Sequence, residues 1–382
     1  MAPTFLITHL DLDGYGCAAL GRLLWQDAWI EYAHYNNIDR IVRQAMYEVG
    51  QARMKGDPSP YSQIVMADIA PASEEVLREC VEFQSPDCPV IILDHHESSP
   101  FAEFADRDVL GIYDEDRCGT RLVWDRFQNS MVGRVVGDTG TLQHLRQFVD
   151  VVEVRDTWQT ESPLWKQSLR LNKLAHTLGR DEFVSRCMVR LGHGEAIAEL
   201  HEHEGPMVEI LLEMDERYIE GRVKFIERCV DSEGRVYHWV QAHRLASEIA
   251  DRVLQTVETD YVAVVMPERA NVELRSDGKK VDVGKLAEAR GGGGHPDAAG
   301  YGIDRIDRVP MPKGRGMWNV EVCRPTGKAL PFLEGWTAGM GASLEAFSQA
   351  GAFDPRRVKV SGDDPLGRLV LTDGDGNEVK SR

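Results

Sequence analysis

Short apolar runs that end in polar residues recur along the first hundred residues of the chain. The runs at 5–9, 64–68 and 90–96 begin with apolar side chains and finish in Asp or His. Helical spacing follows the first two runs, at 17–24 and 74–83. Short apolar strands that alternate with helices predict a parallel sheet covered on both faces. Ligands of such sheets gather at the carboxyl ends of the strands, so the polar endings are candidates for a site.

The middle of the chain is predicted to be helical, and strands follow it. Helical spacing covers 118–127 and 145–154, and a segment rich in Glu and Leu predicts a long helix at Met207–Cys229 that joins two domains. Three further strands are predicted at Val236–Ala242, Tyr261–Met266 and Asn271–Arg275. A short helix at Val283–Ala289 then enters a glycine-rich segment, and we assign no chemistry to the residues beyond Ile303.

The charge of the chain limits its partners. Its 382 residues include 44 Lys and Arg against 62 Asp and Glu, a formal net charge of −18. A protein that coats long DNA or RNA normally has a basic stripe, because phosphate neutralisation supplies most non-specific affinity. The sequence shows no such stripe, so we expect no long duplex nucleic acid as a partner. A short anionic substrate held by metal ions is compatible with this charge.

Cysteine usage and hydropathy indicate a compartment. The seven cysteines are scattered and form no CxxC pair, which indicates reduced thiols in a cytoplasm and argues against a structural zinc site. The first residues lack the basic segment and apolar core of a signal peptide. No apolar run approaches the roughly 20 residues of a membrane helix, so we expect no membrane as a partner.

The first polar ending places three potential metal ligands at alternate positions. His9, Asp11 and Asp13 would share one face of a continued strand, or converge where the strand opens into a turn. Gly14 is expected to let the backbone turn sharply beneath them. Carboxylate oxygens together with imidazole suit a borderline divalent ion such as Mn²⁺.

Two more strand endings add carboxylate and imidazole groups. Asp68 ends the second run, and Asp94, His95 and His96 end the third. Four carboxylates at one edge of the sheet would repel one another unless cations neutralise them. Two divalent ions bridged by one carboxylate would remove that repulsion and form a clamp for phosphoryl transfer.

A run of four glycines, residues 291–294, precedes His295. Consecutive glycines expose backbone N–H groups, and such a nest binds anionic oxygens. The run has helical residues on one side and a predicted strand on the other, which argues against a loose linker. It is therefore a candidate for gripping a phosphate.

Together these motifs resemble the DHH phosphoesterase family with its glycine-rich accessory domain. Over about residues 5–303, the resemblance is carried by His9-x-Asp11-x-Asp13-Gly14, Asp68, Asp94-His95-His96 and the segment from Arg290 to His295. The Arg155-Asp156-Thr157-Trp158 stretch resembles most closely the oligoribonuclease (nanoRNase B) branch. The resemblance implies an α/β fold, in which a parallel-sheet DHH domain is joined by a helical linker to a smaller α/β accessory domain across a cleft.

The resemblance also implies domain boundaries and residue roles. The boundaries are a catalytic domain at 1–190, a helical linker at 191–232, a substrate-binding domain at 233–305 and an extension of unassigned role at 306–382. One ion would be bound by His9, Asp11 and Asp68. The second ion would be bound by Asp13, Asp68, His95 and Asp156, with Asp68 bridging. His96 would contact a substrate phosphate with support from Asp94. A nucleotide phosphate would be held by Arg275, Gly292, Gly293, Gly294 and His295.

The late metal aspartate has an alternative in the sequence. Some branches of the family carry it in an Asp-Thr-Gly sequence, and this chain has one at Asp138-Thr139-Gly140. We prefer Asp156, because it follows a helical apolar run and precedes Thr-Trp. Asp138 lies in a glycine-rich stretch that is more typical of a surface turn.

The resemblance implies that the protein hydrolyses short RNA or DNA oligonucleotides to mononucleotides. It also implies two divalent cations as cofactors, and Mn²⁺ is the expected ion. The alternatives are a phosphodiesterase for cyclic or linear dinucleotides, a phosphatase for 3′-phosphoadenosine 5′-phosphate, and a non-catalytic nucleotide sensor. An exonuclease for longer single strands is disfavoured, since it would need aromatic residues along a basic groove. The sequence leaves a homodimer open.

Overall fold

The computed structural model of this chain describes residues 2–97, 99–134 and 139–302, and the backbone of two short strands nearer the end. The chain divides into two compact units between Met214 and Asp215, inside the predicted linker. The first unit carries the three polar strand endings. The second unit carries the glycine-rich segment.

The first unit is built on a five-stranded parallel sheet with the strand order β2-β1-β3-β4-β5. Its strands are β1 (Thr4–Thr8), β2 (Trp29–Tyr32), β3 (Gln63–Ala67), β4 (Val90–Asp94) and β5 (Gly111–Tyr113). Successive residues of a strand face opposite sides, so Leu6 and Val65 pack in one core and Ile7 and Met66 in another. Burial on both faces confirms the predicted parallel sheet.

Helices cover both faces of this sheet. They are α1 (Leu12–Leu24), α2 (Ile38–Lys55), α3 (Glu74–Phe83), α4 (Arg107–Leu110), α5 (Gly119–Arg134), α6 (Thr139–Asp156), α7 (Trp165–Leu178) and α8 (Arg180–Gly192). Helices α2 and α3 lie over one face, and α1 with α5 to α8 over the other. Ser73 caps α3 by accepting the Val76 N–H, so the aspartate that ends the second run has no such role.

The second unit contains a mixed six-stranded sheet with the order β10-β11-β9-β8-β7-β6. Its strands are β6 (Glu227–Val230), β7 (Val236–Gln241), β8 (Tyr261–Met266), β9 (Asn271–Arg275), β10 (Gly293–Gly294) and β11 (Ala298–Gly302). Strands β7 and β8 are parallel, and the other neighbours are antiparallel. Val262 faces a core formed with α10 (Ala246–Thr256), and Ala263 faces a core formed with α11 (Val283–Glu288). The short paired strands β12 and β13 are Lys359–Val360 and Leu371–Thr372.

The long helix near the unit boundary differs from its prediction. Helix α9 is Glu204–Val223, and Cys229 lies in β6 instead. A turn joins β6 to β7, where the Asp231 N–H donates to the Arg235 carbonyl and Gly234 has a φ of 83°. The predicted end of the helix was wrong, because residues of β6 alternate in burial, which is the pattern of a strand.

A buried ion pair joins α8 to the start of α9. Arg186 Nε lies 2.6 Å from Glu204 Oε1, and its Nη2 lies 2.7 Å from Oε2. The guanidinium also donates to the carbonyls of Ile197 and Glu199, and the His201 N–H donates to Glu204. Burial opposes ionisation of Glu204, but these hydrogen bonds outweigh it and lower its pKa. Both charges are therefore satisfied within the protein.

The structure bears on two predictions about the cellular location of the protein, the absence of a membrane helix and the presence of reduced cysteines. Within the described ranges, no helix is both long enough and apolar enough to cross a membrane. The six cysteines of the described part are free thiols, and five of them are buried. The cytoplasmic location stays a prediction.

Candidate metal centre

The carboxyl end of β1 opens directly into α1. Of the two arrangements that the sequence left open, the chain adopts the turn, so His9, Asp11 and Asp13 do not share a strand face. Asp11 caps α1, since its Oδ1 accepts the Gly14 N–H at 3.0 Å. The Oδ2 of Asp11 lies 2.8 Å from Nδ1 of His9.

Gly14 allows the sharp turn from β1 into α1 by leaving space for the backbone of His9. It lies within the first turn of α1, with the helical backbone that any residue can adopt. A Cβ at this position would lie 2.1 Å from the carbonyl oxygen of His9. The turn expected from the sequence is therefore present, and it needs glycine for space, because a side chain here would displace the β1–α1 connection that carries His9.

Asp13 is fixed by the start of α5. Its Oδ2 accepts the Gly119 N–H at 2.6 Å, and its Oδ1 accepts the Thr120 N–H at 2.8 Å. The hydroxyl of Thr120 donates to the Asp13 carbonyl at 2.8 Å. The first N–H groups of α5 therefore fix both carboxylate oxygens of this buried side chain. Sequence reasoning did not assign this role to Gly119 and Thr120, although the pair opens a predicted helix.

Asp68 follows β3 with a left-handed backbone, at a φ of 62°, and only 1% of the residue is exposed. Asp is among the non-glycine residues that adopt this conformation most readily. The Asp68 N–H donates to the Leu93 carbonyl, and a Cβ on Gly119 would lie 2.5 Å from the Asp68 Cβ. Asp68 Oδ2 is buried and accepts no hydrogen bond from the described residues.

The two histidines after β4 have different partners. Nδ1 of His96 lies 2.8 Å from Oδ1 of Asp94, which is fully buried at the end of the strand. Nε2 of His95 lies among three carboxylates, at 3.2 Å from Asp68 Oδ1, 3.6 Å from Asp156 Oδ2 and 3.9 Å from Asp13 Oδ2. The first and third strand endings therefore meet at the second, as the sheet topology predicts.

Asp156 is the last residue of α6 and reaches the same place from far along the chain. The backbone beyond it reverses at Trp158, which has a φ of 54°. The guanidinium of Arg155 lies 4.4 Å from the ring centroid of Trp158, a cation–π contact. Asp138, the alternative metal ligand, lies outside the described residues, so the preference for Asp156 stays a prediction.

The carboxylates of this cluster perturb one another. Burial, and then the charges of Asp13 and Asp11, raise the pKa of Asp68 and of Asp156 well above the usual range. Loss of water also opposes the ionisation of Asp11, but the hydrogen bond and charge of His9 outweigh it and lower its pKa. A cation among these groups would relieve the repulsion that raises the two pKa values.

The adjacent histidines shift in opposite directions. Burial, and then the charge of His96, lower the pKa of His95 to about 4. Burial also opposes the charged form of His96, but the charge and hydrogen bond of Asp94 outweigh it and raise the pKa of His96 to about 9. Near pH 7, His95 is therefore neutral, the form that binds metals, whereas His96 is a cation suited to phosphate oxygens.

Three sets of side chains could each hold a metal ion, because their ligand atoms lie within 4.8 Å of one another: His9 with Asp11 and Asp68; Asp68 with His95 and His96; and Asp13 with His95 and Asp156. Asp68 and His95 each belong to two sets, so the three form one continuous centre. Mutually repelling carboxylates, a neutral imidazole and the unpartnered Asp68 Oδ2 fit divalent cations.

Arg275, a predicted substrate ligand, ends β9 in the second unit. Its Nη2 lies 2.7 Å from Ser247 Oγ and 3.2 Å from Glu273 Oε2, and its Nη1 donates to the Leu274 carbonyl at 2.9 Å. The guanidinium thus has partners within the unit. A substrate phosphate would have to replace or join them.

The glycine-rich segment is tightly paired rather than open. Gly293 and Gly294 form β10, which pairs with β11. A Cβ at Gly292 would lie 2.1 Å from the carbonyl oxygen of Gly300, and one at Gly294 would lie 2.5 Å from that of Ala298. Close approach of the two strands therefore explains why glycine occupies these positions.

Hydrogen bonds within the segment also restrict the expected nest. The Gly292 N–H donates to the Ala287 carbonyl, and the His295 N–H donates to the Ala298 carbonyl. Because these two N–H groups donate to backbone carbonyls of the protein, they are not available to an anion. The prediction that they bind a phosphate is therefore wrong. The roles of Gly293, Gly294 and the His295 side chain stay predictions.

The fold and the centre define a class of protein. Residues 237–310 match the model of the DHHA1 domain. A solved DHH domain, from a protein assigned to a family of ribosomal proteins, superposes with a TM-score of 0.50 at 15% identity, over 78% of this chain and 82% of that one. In its glycine-rich domain and in its fold the chain is therefore similar to the DHH phosphoesterases, which hydrolyse phosphodiester bonds.

Within that family, two characterised relatives are similar in sequence. The chain is 27% identical to oligoribonuclease NrnB of Bacillus subtilis (strain 168) over 340 residues, which cover 83% of this chain and 80% of the relative. It is 24% identical to a 3′,5′-cyclic-nucleotide phosphodiesterase of Helicobacter pylori (strain ATCC 700392 / 26695) over 187 residues, which cover 48% and 52%. The first similarity spans both units, in agreement with the resemblance seen in the sequence.

Proposed function

We propose that this chain is a divalent-cation-dependent phosphodiesterase that degrades short oligonucleotides to mononucleotides, with Mn²⁺ as the preferred ion. The observation that carries the proposal is the continuous centre, in which Asp68 and His95 are shared between sets of ligand atoms. Similarity to an oligoribonuclease over most of the chain supports the class of substrate.

We assign the residues of the centre to two ions. His9, Asp11 and Asp68 are ligands of one ion, and the second is held by Asp13, Asp68, His95 and Asp156. When bound, such ions act as Lewis acids on a phosphate and lower the pKa of water at the site. Asp13 is held in place for this role by the N–H groups of Gly119 and Thr120, which donate to its two carboxylate oxygens.

His96 provides the positive charge that the protein itself brings to the substrate. Nδ1 of His96 lies 2.8 Å from Asp94 Oδ1, and Asp94 raises the pKa of His96 in the metal-free protein, so Nε2 is available to donate to a non-bridging phosphate oxygen. As water attacks phosphorus and the bond to the leaving 3′ oxygen breaks, negative charge grows on the non-bridging oxygens. A fixed cation at that position stabilises the transition state more than the ground state.

The second unit is assigned to the rest of the substrate. We propose that Arg275, with Gly293, Gly294 and the side chain of His295, holds a neighbouring nucleotide, so that chain length is limited to short substrates. The charge of −18 supports this restriction, because long strands would find no basic track.

The test is a length series. Purified full-length chain with Mn²⁺ should release mononucleotides from labelled RNA of two to five residues, and EDTA should abolish the release. Asp68→Ala should be inactive, while Asp87→Ala, a change at an exposed aspartate of the same unit, should keep the wild-type rate. Full activity in EDTA, or in Asp68→Ala, would show that the proposed centre is not the catalytic one.

The cyclic-nucleotide phosphodiesterase among the relatives supports a second candidate substrate. The same assay should therefore include a 3′,5′-cyclic mononucleotide, linear and cyclic dinucleotides, and 3′-phosphoadenosine 5′-phosphate. The largest kcat/KM identifies the substrate. Tight binding of one of these compounds without turnover would instead support a nucleotide sensor.

A further inference from the structure

Tyr35 lies in a fixed turn beside the candidate metal centre. The Ala33 N–H donates to the Thr8 carbonyl at 2.8 Å, which extends the pairing of β2 with β1. The His34 N–H donates to Asn37 Oδ1 at 2.8 Å, and the Asn37 N–H donates back to the His34 carbonyl at 3.0 Å. These hydrogen bonds hold the backbone on both sides of Tyr35.

The Tyr35 ring contacts two imidazoles of the centre. Its centroid lies 5.5 Å from that of His9 and 5.6 Å from that of His96. His9 belongs to one set of possible metal ligands, and His96 is the residue that we assign to the phosphate. Tyr35 is nevertheless 43% exposed, whereas the side chains of His9 and His96 are 20% exposed. A large aromatic surface is therefore open to solvent beside the groups assigned to the phosphate.

An aromatic surface at this position matches the chemistry of a nucleotide. Every nucleobase has an apolar face, and stacking on an aromatic side chain stabilises binding with little sequence preference. A base is joined to its own phosphate through one sugar, so a ring in contact with His96 is within reach of the base next to the bound phosphate. Stacking requires no positive charge, which suits a chain with a net charge of −18.

We propose that Tyr35 stacks on the nucleobase adjacent to the cleaved phosphate and so makes the centre selective for diesters that carry a base there. This inference rests on the proposed function and deepens it. It makes Tyr35 a specificity-determining residue that contacts substrate through its ring, while the phenolic hydroxyl is dispensable.

The experiment compares three 5′-phosphorylated dinucleotides with Mn²⁺. One carries adenine at both positions, and each of the others carries an abasic ribose at one position. The proteins are the wild type, Tyr35→Ala, Tyr35→Phe and the control Tyr47→Ala, whose side chain is 61% exposed on α2. Bound Mn²⁺ is measured for each, to establish that the ligands next to Tyr35 are intact.

The wild type should prefer the full substrate over one abasic form by roughly tenfold or more in kcat/KM, as expected for one stacked base. Tyr35→Ala should lose that preference, mainly through KM, and Tyr35→Phe and Tyr47→Ala should retain it. A wild type without preference would overturn the inference. So would an equal loss of kcat by Tyr35→Ala on all three substrates, which would mean that Tyr35 only supports His9 and His96.

If the wild type cleaves none of the substrates, the proposed function fails, and binding tests the inference separately. A dinucleotide with 2-aminopurine in place of adenine loses fluorescence when its base stacks on an aromatic ring. Quenching by the wild type and Tyr35→Phe, but not by Tyr35→Ala, would support the stacking role. Equal quenching by all three would overturn it.

Discussion

The first unit contains two clusters of charged side chains. In one cluster the charges neutralise each other, and in the other negative charge is in excess. At the start of α9, Arg186 and Glu204 neutralise each other, and backbone groups complete their hydrogen bonds. At the strand ends, Asp13, Asp68 and Asp156 surround a histidine that is neutral near pH 7. The first cluster is complete within the protein and belongs to the fold. The second needs positive charge from solution, which is what distinguishes a binding site from a structural network.

Arg275 of the second unit can be compared with these two clusters. Arg275 already has Ser247 and Glu273 as partners, so it resembles the satisfied cluster more than the strand-end centre. Buried charge without a partner is thus the stronger indicator of a ligand. The centre in the first unit rests on that indicator, whereas the substrate role of Arg275 rests on family resemblance.

The largest effect is expected for Asp68→Asn. Activity with Mn²⁺ should fall on the order of 10³-fold or more, because the shared ligand is lost. In EDTA, however, the free energy of unfolding should not fall, since the change removes a charge that its neighbours repel and Asn tolerates the left-handed backbone. Initial rates and urea denaturation measure the two effects. A clear loss of stability in EDTA would contradict the repulsion inferred here.

Arg186→Met should show the reverse pattern. It leaves Glu204 buried and unpaired, so we expect a loss of about 3 kcal/mol in the free energy of unfolding, with kcat of the folded protein unchanged. The double variant Arg186→Met/Glu204→Leu should recover much of the loss, because both charges are then gone. Thermal denaturation and kcat measure this, and a double variant as unstable as the single one would show that the backbone hydrogen bonds dominate.

Asp156→Asn and Asp138→Asn separate the two candidate late ligands. Asp156→Asn should weaken binding of one Mn²⁺ by on the order of 100-fold or more, because loss of even an outer partner of a metal ligand costs about 10- to 100-fold. Asp138→Asn should leave both ions bound. Titration of bound Mn²⁺ by calorimetry distinguishes them, and metal loss in Asp138→Asn alone would reverse our assignment.

The smallest effect is a pH dependence of the metal-free protein. The folded pKa of His96, about 9, lies above its usual value near 6.5, so the folded state retains a proton that the unfolded state releases between these values. Stability from His96 is therefore fully present below pH 6.5 and is lost as the pH rises to 9. We expect a decrease of about 3 kcal/mol over the whole window in EDTA, which is at most about 1.4 kcal/mol for each pH unit. His95 titrates below this window, whereas the raised pKa values of Asp68 and Asp156 also make stability fall as the pH rises. His96→Gln should therefore make the curve less steep between pH 6.5 and 9.

The strand endings were predictable because an apolar run followed by Asp or His is a local pattern. His9, Asp68 and His95 lie where the parallel-sheet rule put them. Asp156 followed from family resemblance rather than from any spacing, since it comes from the end of a helix. The anchoring of Asp13 by Gly119 and Thr120 joins residues more than a hundred positions apart, and no local pattern reports such a contact.

Other features escaped prediction for identifiable reasons. Strand β2 is short and partly exposed, so the turn that presents Tyr35 had no clear signal. The glycine-rich segment was interpreted as a nest because consecutive glycines suit one, but pairing with β11 also requires glycine at Gly292 and Gly294. Composition alone does not distinguish a loop that binds an anion from one that lies against another strand.

The position of Gly119 beside Asp68 restricts which residues can occupy it. Even one methyl group there would collide with the aspartate that two sets of ligand atoms share. A change in substrate range is therefore expected from substitutions at exposed positions such as Tyr35 rather than at Gly119. New specificities should arise there while the inner residues stay the same.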